Sequence, residues 1–595
     1  MKIHKLIFAF IISIFPFFLY SQIDNLTLPE HSIEGRILDK KDKNPLAYAH
    51  IYNKSSGKGT ISNLDGYFKL NVKTDSDVVL ISIVGYKKTQ LNLDFKINFY
   101  QVLLEESVLL LKEVKVFAGN NSYLYNLLQD CKKSQSKTMK TTKVYYELKS
   151  FIDNKQVELL EGFYNGKFRG YDMTALDLKE GRIALQMNND RYFLSVETSN
   201  IITMMKLFFQ NEDMPISPLE LTKRFLKKNY YLSLANIYYS DNLDSIYIVN
   251  FTPKDTSHNF FLGQVWVNYS KKNIIKLKLK CLNAAQHPFL PIFSTDSIKN
   301  VDLDITKSFQ EVNGTMCFQH IDFIYHFTYK SKNDKLLNVT TYAILYSYDF
   351  NSVFSFPNFI FPNKGFSDYI KINTMPINEY FWKNNEELKL NEQDHKNDSF
   401  YNDEYSITNK TPDLLNQFVE KVLEEKPYLQ WSTNRIRSRE FTTENPPNFG
   451  NNKIIPESNV FTSDFLNLSI KIFLDINTYK DSLQFITATI LDPYESYYRL
   501  PINSKVLCLI NICFDLVEIE RRTLLKDLQK SNNNLETIKK LYEESLVNIE
   551  LLKQKYFRET ETGNNENEMK KWNKIVLDNL GIDNMKVFNP YEDKK

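Results

Sequence analysis

The sequence predicts a mainly β protein with an α-helical C-terminus, in which an N-terminal β-sandwich is followed by a large antiparallel β-sheet domain. Short runs of alternating apolar and polar residues fill positions 32–117, and such runs are typical of half-buried strands. Longer runs with the same period of two continue through residues 141–382. From Leu516 onward apolar residues recur every three or four positions, which indicates amphipathic helices.

The composition limits the class of protein. The chain has 595 residues, with 74 Lys+Arg against 72 Asp+Glu and a formal net charge of +2, so no large basic excess supports binding to nucleic acid. Its hydrophobic content of 43% argues against general disorder. With 16 Gly and 19 Pro, the chain is neither collagen-like nor dominated by linkers. At about 150 residues per domain, the length predicts about four domains.

The N-terminus has the parts of a secretory signal peptide, which we assign to residues 1–21. Lys2 and Lys5 precede the apolar run Leu6–Tyr20, and cleavage is expected before Gln22. An uncleaved membrane anchor is the alternative, but this run is shorter than the ~20 residues of a membrane span. We therefore expect an exported protein that is periplasmic or associated with the outer membrane.

The five cysteines are odd in number and far apart in sequence. This spacing matches neither a disulfide framework nor a CxxC zinc pattern. It does not predict whether any of the five cysteines form disulfides. Cys508 and Cys513 lie in the apolar run Val506–Val517, which predicts a buried core element. Both should act there as small hydrophobic side chains.

Residues 32–117 have the clearest strand pattern. Ile33–Leu38 and Tyr67–Val72 alternate with period two, and Val78–Val84 is a continuous apolar strand. The dipeptide Asp65-Gly66 is typical of a hairpin turn, in which Gly supplies a positive φ. Short strands at this spacing predict a β-sandwich.

This segment resembles the carboxypeptidase-regulatory-like domain. The matching positions are Gly35, Pro45-Leu46, Ala49, Gly59-Thr60, Asp65-Gly66, Phe68, Ser82 and Gly85-Tyr86. The tail Leu109–Ala118 resembles the closing strand of the family. The resemblance implies a transthyretin-like, seven-stranded sandwich of the kind common at the N-terminus of exported and outer-membrane proteins of the Bacteroidota, including TonB-dependent receptors.

The same resemblance implies the non-catalytic companion of metallocarboxypeptidases, which has no zinc ligands of its own. Downstream of the module the sequence contains neither an HxxE nor an HExxH arrangement, which a zinc peptidase would use to bind its metal. We therefore do not expect an active carboxypeptidase.

A helical connector over residues 118–140 joins this module to an antiparallel β-rich domain over 141–382. Within the connector, the apolar spacing of Asn121–Lys133 predicts a helix. Within the domain, Ile275–Lys280 alternates between apolar residues and three lysines. That alternation predicts an antiparallel sheet with one face in water.

Aromatic residues follow one face of a later strand. Phe323, Tyr325, Phe327 and Tyr329 share that face, and His326 lies on the opposite one. The face could line a groove for a lipid, a glycan or a peptide, or it could belong to the core. Because Phe and Tyr are good strand residues that bury large areas, we expect core packing.

A second resemblance covers residues 251–280, which read FTPK…FFLGQVWVNYSKKNIIKLKLK. This passage resembles a pattern in other exported Bacteroidota proteins that carry the same N-terminal module. It is also similar to the half-barrel sheets of lipoprotein-carrier-like proteins. The resemblance implies a large, curved antiparallel sheet.

The last third of the chain divides into two parts. Residues 383–458 are predicted to be a polar linker with one short helix, Leu414–Leu423. Residues 459–595 are predicted to be a mixed strand and helical region, with long helices after Leu516 and a last helix that stops at Gly581. A coiled-coil partner site on the long helix is the alternative to intramolecular packing, which we favour because two to three heptads are few.

The search for chemistry identifies few candidates. His320 and His326 would share a strand face and could begin a metal site, but no acidic third ligand is indicated. Asp492 and Glu495 are close in sequence and could act as a glycosidase pair, although a surface turn is the simpler interpretation. No nucleophile elbow, Walker loop or Rossmann fingerprint occurs. We therefore assign no catalytic, cofactor-binding or metal-binding residues, and no cofactor.

These observations favour a non-enzymatic exported cell-envelope protein with a binding or assembly role. One alternative is a hydrolase acting on envelope or extracellular polymers. Another is an outer-membrane β-barrel or an accessory to a TonB-dependent receptor. The expected partners are an envelope protein, a glycan or a lipid, with peripheral association with the outer membrane and no nucleic acid. The oligomeric state is not predicted.

Overall fold

The computed structural model describes residues 31–106, 121–355, 368–384, 391–423, 428–436 and 466–591, apart from short gaps inside these ranges. The predicted signal peptide and the closing strand Leu109–Ala118 lie outside the described residues. The predicted fold class is confirmed, because the chain is mainly β with a large curled antiparallel sheet, C-terminal helices and an N-terminal β domain.

The N-terminal module consists of two facing sheets. Its strands are β1 His31–Asp39, β2 His50–Asn53, β3 Lys58–Ile61, β4 Tyr67–Val72, β5 Val79–Ser82, β6 Thr89–Leu91 and β7 Phe99–Leu104. One sheet has the order β4-β1-β7 and the other β3-β2-β5-β6. Gly66 has a φ of 79° at the predicted turn before β4, and apolar side chains from both sheets form the module's core.

The large sheet follows helix α1, Ser122–Lys133, which is the predicted connector helix. Its strands are β8 Met139–Ile152, β9 Lys155–Arg169, β10 Asp172–Gln186, β11 Tyr230–Tyr239, β12 Ser245–Pro253, β13 Leu262–Asn268, β14 Asn273–Cys281, β15 Ser297–Val312, β16 Thr315–Lys330, β17 Leu336–Asp349 and β18 Ser406–Thr408. They pair antiparallel in the order β11-β12-β13-β14-β15-β16-β17-β8-β9-β10-β18. Two short helices, α2 Thr198–Met204 and α3 Lys223–Asn229, lie between β10 and β11.

The two faces of this sheet differ in character. The inner face carries Phe323, Tyr325, Phe327 and Tyr329, which are buried in a large apolar cluster with α1. The expectation that this aromatic face forms core is therefore confirmed. The outer face carries the alternate residues of the same strands, including His326.

The N-terminal module covers part of the outer face. Lys58 of β3 pairs with Asp349 at the end of β17, so that one sheet of the module continues the large sheet. Beside this junction, Tyr48 and Ile61 of the module pack against Tyr346 and Tyr348 of β17. The outer face is therefore only partly in contact with solvent.

Residues predicted to be a polar linker contain regular structure where they are described. Helices α4 Asp368–Thr374 and α5 Glu379–Asn384 precede α6 Asn391–Tyr401, the edge strand β18, and α7 Pro412–Leu423. Arg182 of β10 holds α6 through Asp398, with 2.5 Å between Nη1 and Oδ1. The polar composition of this segment thus includes a side chain that forms an ion pair with the large sheet.

The C-terminal part combines a small sheet with a helical layer. Its elements are β19 Leu429–Gln430, β20 Leu466–Asn467, β21 Ile470–Tyr479, β22 Ser482–Leu491, β23 Tyr497–Tyr498, α8 Ser504–Gln529, α9 Leu535–Glu559, α10 Glu566–Leu580 and α11 Asn584–Phe588. The apolar run Val506–Val517 is buried within α8, as predicted. Gly581 ends α10 with a φ of 73°, also as predicted. No helix in the described part of the chain is long and apolar enough to span a bilayer.

Candidate functional site

A cleft of about 1020 Å³ separates the N-terminal module from the outer face of the large sheet. The module contributes residues in and around β2 and β5, and the sheet contributes residues of β14, β15 and β16. The polar lining includes Tyr48, His50, Tyr52, Ser82 and Lys88 on the module and Lys276, Lys278, Thr306, Ser308, His320 and Asp322 on the sheet. Small-molecule sites usually measure about 300–1000 Å³, so this cleft can hold a ligand of substantial size.

Strand pairing arranges the sheet wall of the cleft in two rows. In the first row, Lys276 on β14 pairs with Ser308 on β15, which pairs with His320 on β16. The second row, two residues along each strand, consists of Lys278, Thr306 and Asp322. Neighbouring strands lie about 4.8 Å apart, so each row presents three polar side chains at regular intervals across about 10 Å.

His320 has no partner in this wall. Its side chain is buried, with 3% exposure, and neither ring nitrogen has a hydrogen-bond partner among the described residues. Burial, with smaller contributions from Lys276 and His50, lowers the pKa of His320 to about 3. The imidazole is therefore neutral at physiological pH and has one donor and one acceptor without a hydrogen-bond partner.

The module wall places a histidine and a tyrosine near His320. His50 is buried, and burial together with the charge of Lys88 lowers its pKa to about 4. The ring of Tyr48 lies 5.5 Å from the His320 ring, centroid to centroid. The Tyr48 hydroxyl donates a hydrogen bond of 3.4 Å to Oδ1 of Asp322, which connects the two walls directly.

The charged groups of the sheet wall are only partly compensated. Burial lowers the pKa of Lys276 to about 8, and the neighbouring charge of Lys278 adds to this effect. Burial raises the pKa of Asp322 to about 6, against the opposing effect of the Tyr48 hydrogen bond. The two polar rows thus contain two lysines on successive outward positions of β14 and one carboxylate with a raised pKa.

The remaining charges shift the balance further toward positive. Glu311 also lines the cleft, but it is bound to Lys271 with 2.7 Å between Nζ and Oε2. Lys54 and Lys88 line the module side, and within the described ranges neither has an ion-pair partner. A negative ligand would therefore meet more positive than negative charge.

The predicted histidine pair is confirmed as sharing a face but does not form one site. His326 is six residues beyond His320 on β16, in regular register with β17, which corresponds to about 20 Å along a strand. His326 is exposed, and its Nδ1 is 2.8 Å from Oγ1 of Thr340. Over the residues whose placement is described, no group of three His, Cys, Asp or Glu side chains could hold a metal ion.

The prediction that the lysines of Ile275–Lys280 face water is only partly correct. A register shift opposite Trp266 on β13 interrupts the alternation, and Ile275 lines the cleft together with Lys276. Lys280 is exposed, whereas Lys276 is partly buried. Sequence periodicity missed this difference because the module that covers Lys276 comes from a distant part of the chain.

The carboxylates Asp492 and Glu495 belong to a turn rather than to a cleft. Lys471 binds both side chains, with Nζ 3.2 Å from Oδ2 of Asp492 and 2.8 Å from Oε2 of Glu495. Burial would raise the pKa of Glu495, but hydrogen bonding and the charge of Lys471 hold it below its usual value. This arrangement agrees with the interpretation of a turn, and the lowered pKa of Glu495 does not suit a general acid.

Comparison with known proteins identifies one segment. Residues 33–116 match the family described as CarboxypepD_reg-like domain, which agrees with the resemblance drawn from the sequence. No curated protein sequence matches the chain.

Among solved structures, a LolA superfamily protein from Nitrosomonas europaea shares 12% identity over 38% of this chain and 93% of that chain, with a TM-score of 0.16. MucB shares 7% identity over 38% of this chain and 94% of that chain, with a TM-score of 0.16. The MucA/MucB complex of Pseudomonas aeruginosa gives 8% identity over 37% and 92% of the two chains and a TM-score of 0.14. At these scores, no argument about function rests on the solved structures.

Proposed function

We propose that the protein is a non-enzymatic, exported protein of the cell envelope that binds a polar ligand in the cleft between its N-terminal module and large sheet. The observation that carries this proposal is the buried imidazole of His320, which lines the cleft with both nitrogens unpartnered. A buried polar group left without a hydrogen bond costs about 1–3 kcal/mol. A ligand that supplies the missing partners recovers this free energy.

The nature of the lining supports a glycan or another polar molecule over a lipid chain. The two rows of the sheet wall consist of lysine, serine, threonine, histidine and aspartate side chains. The module adds the hydroxyl-bearing rings of Tyr48 and Tyr52, which can both stack and hydrogen-bond. A ligand held between the walls would contact both domains and so give the module a role in recognition.

A hydrolase is the second candidate, and the raised pKa of Asp322 favours it, because perturbed carboxylates in clefts are typical of catalytic sites. Ser308 lies directly across from His320 in the sheet, but the His320 nitrogens make no hydrogen bond with it. An activated serine needs a base within hydrogen-bond reach. The geometry therefore supports binding better than nucleophilic catalysis.

The test compares the full chain with a variant in which the cleft is filled. Ser308→Trp places a large side chain on the cleft wall, and Lys280→Trp places the same side chain at an exposed position on the same face, outside the cleft lining. Each protein is produced in its native envelope and examined by native mass spectrometry for co-purified small molecules. We expect a bound mass with wild type and Lys280→Trp that is lost with Ser308→Trp.

An equal bound mass in all three proteins, or none in any, would overturn binding in the cleft. Release of sugars or peptides from purified envelope by wild type, but not by Asp322→Asn, would instead establish the hydrolase. Fractionation of cells that produce the full chain tests export. Recovery in the cytoplasmic fraction would contradict the envelope assignment.

A further inference from the structure

We infer that the ligand of the cleft carries an oxyanion, either a carboxylate or a phosphate, and that this group lies between Lys276, Lys278 and His320. The inference rests on the proposed function and names the chemistry that the cleft recognises. It follows from two lysines that form no salt bridge with a described residue and an imidazole without a hydrogen-bond partner, all on one wall of the cleft. The Lys276 and Lys278 ammonium groups lie 5.6 and 6.0 Å from the centroid of the Trp266 ring, a contact that leaves their N–H donors available.

The two lysines have a fixed relation to each other. Lys276 and Lys278 are separated by one residue on β14 and belong to neighbouring cross-strand rows, so both project from the outer face of the sheet. Residues two apart on a strand are about 6.6 Å apart along the backbone. Neither lysine forms a salt bridge with any described residue. An oxyanion between them would be within reach of both side chains.

Electrostatics favours a negative group at this point. Burial and the repulsion from Lys278 make the charged form of Lys276 costly, and an anion nearby would offset both effects. Asp322 supplies one carboxylate to the two polar rows, and burial raises its pKa to about 6. Asp304, two residues before Thr306 on β15, lies outside the cleft lining and is the cross-strand partner of Lys280. Within the two rows, two lysines therefore face a single carboxylate.

His320 provides a directional contact beside the lysines. It belongs to the same row as Lys276, two strands away, or about 10 Å between the backbones. A long lysine side chain and an imidazole can both reach an atom between them. The neutral imidazole can donate one N–H to the oxyanion and accept a hydrogen bond from a ligand hydroxyl at its other nitrogen.

The volume and the opposite wall indicate that the oxyanion belongs to a larger polar molecule. A carboxylate or phosphate fills only a small part of about 1020 Å³. Tyr48, Tyr52 and Ser82 on the module wall remain available for hydroxyl groups or a sugar ring. An acidic sugar or a sugar phosphate has both parts in one molecule.

The experiment measures binding of three related probes to the full chain by titration calorimetry at pH 7 and low salt. Glucose, glucuronate and glucose 6-phosphate share a ring and differ in the group at one end. We expect glucuronate or glucose 6-phosphate to bind at least tenfold more tightly than glucose, because hydrogen bonds to charged groups contribute more than neutral ones. Whichever of the two binds more tightly identifies the carboxylate or the phosphate as the recognised group.

Variants then locate the anion. Lys276→Met should weaken binding of the preferred anion about tenfold or more, whereas the exposed Lys280→Met on the same strand should leave it unchanged. Thermal unfolding verifies that both variants fold. His320→Phe should also weaken binding of the anion, because it removes the N–H donor while keeping an aromatic ring.

The outcomes separate this inference from the proposed function. If glucose binds as tightly as the anions, and Ser308→Trp abolishes binding while Lys276→Met does not weaken it, the oxyanion is wrong and the cleft remains a binding site. If neither anion binds at millimolar concentration, the inference is overturned. The native mass spectrometry experiment on co-purified molecules then still tests, independently, whether the cleft binds a ligand.

Discussion

At the scale of single residues, the neutral state of His320 has a consequence for stability. Its pKa in the folded chain, about 3, lies below the ordinary value of 6.5 because it is buried near Lys276 and His50. The groups around it are Tyr48 and His50 from the module, Lys276, Ser308 and Asp322 from the sheet, and its cross-strand partner Tyr346 on β17. On acidification the unfolded chain takes up the proton first. The free energy of unfolding should therefore fall as the pH decreases from about 6.5 toward about 3.

We expect His320→Gln to remove much of this acid sensitivity, by an amount on the order of 3 kcal/mol between pH 7 and pH 4. Urea unfolding of wild type and variant at several pH values between 7 and 4 measures this difference. The range begins above the ordinary histidine pKa of about 6.5, where the unfolded chain starts to take up the proton. His326→Gln, at an exposed position on the same face of the same strand, should keep the wild-type profile. Equal pH profiles for wild type and His320→Gln would show that His320 is not buried as a neutral ring.

At the scale of elements, β14 carries Lys276 and Lys278 of the sheet wall, and β13 fixes its position. Gly263 of β13 pairs with Leu279 of β14, and a Cβ atom at Gly263 would lie 1.9 Å from the carbonyl oxygen of Lys278. The two backbones can therefore approach closely only because residue 263 has no side chain.

Gly263→Ala should force β13 and β14 apart and destabilise the chain by about 2 kcal/mol or more, since the obstacle is backbone rather than a flexible side chain. Chemical unfolding measures the loss. The neighbouring Leu262→Ala removes a side chain that is 44% exposed, and should stay within about 0.5 kcal/mol of wild type. The reverse order of the two variants would contradict the close approach of the strands.

At the scale of the whole molecule, a buried ion pair joins the large sheet to the C-terminal part. Lys179 of β10 and Asp475 of β21 are both about 1% exposed and form a salt bridge, and Lys179 also donates to the carbonyl oxygen of Ile476. Glu180 lies beside this pair, and burial together with the charge of Asp475 raises its pKa well above the usual value. Phe473 and Ile490 extend the main apolar core across the same interface.

Removal of one partner should be more harmful than replacement of both. Asp475→Asn and Lys179→Met each remove one partner of this buried pair, and each should cost about 3–5 kcal/mol. The double variant Lys179→Met/Asp475→Leu should lose less than the sum of the single losses. A double-mutant cycle in urea measures this coupling, and strictly additive losses would show that the two residues do not interact.

The sequence by itself determined the local structure of this protein. Period-two alternation identified the strands of the N-terminal module and of residues 141–382, and the shared face of Phe323 to Tyr329 identified core. The helix stop at Gly581 was also predictable, because a left-handed cap favours glycine regardless of what surrounds it. These features depend on neighbours a few residues away, and so they are visible in a linear sequence.

Only the tertiary structure decided where the candidate site lies. Tyr48 and Asp322 are 274 residues apart in sequence and meet across the cleft. His320 was noticed for its spacing from His326, but its cross-strand neighbours are Ser308 on β15 and Tyr346 on β17, with Lys276 one strand beyond Ser308. One sequence gives the period of each strand but not its partner or register. Burial of polar side chains beneath a distant domain therefore becomes apparent only when the whole chain is folded.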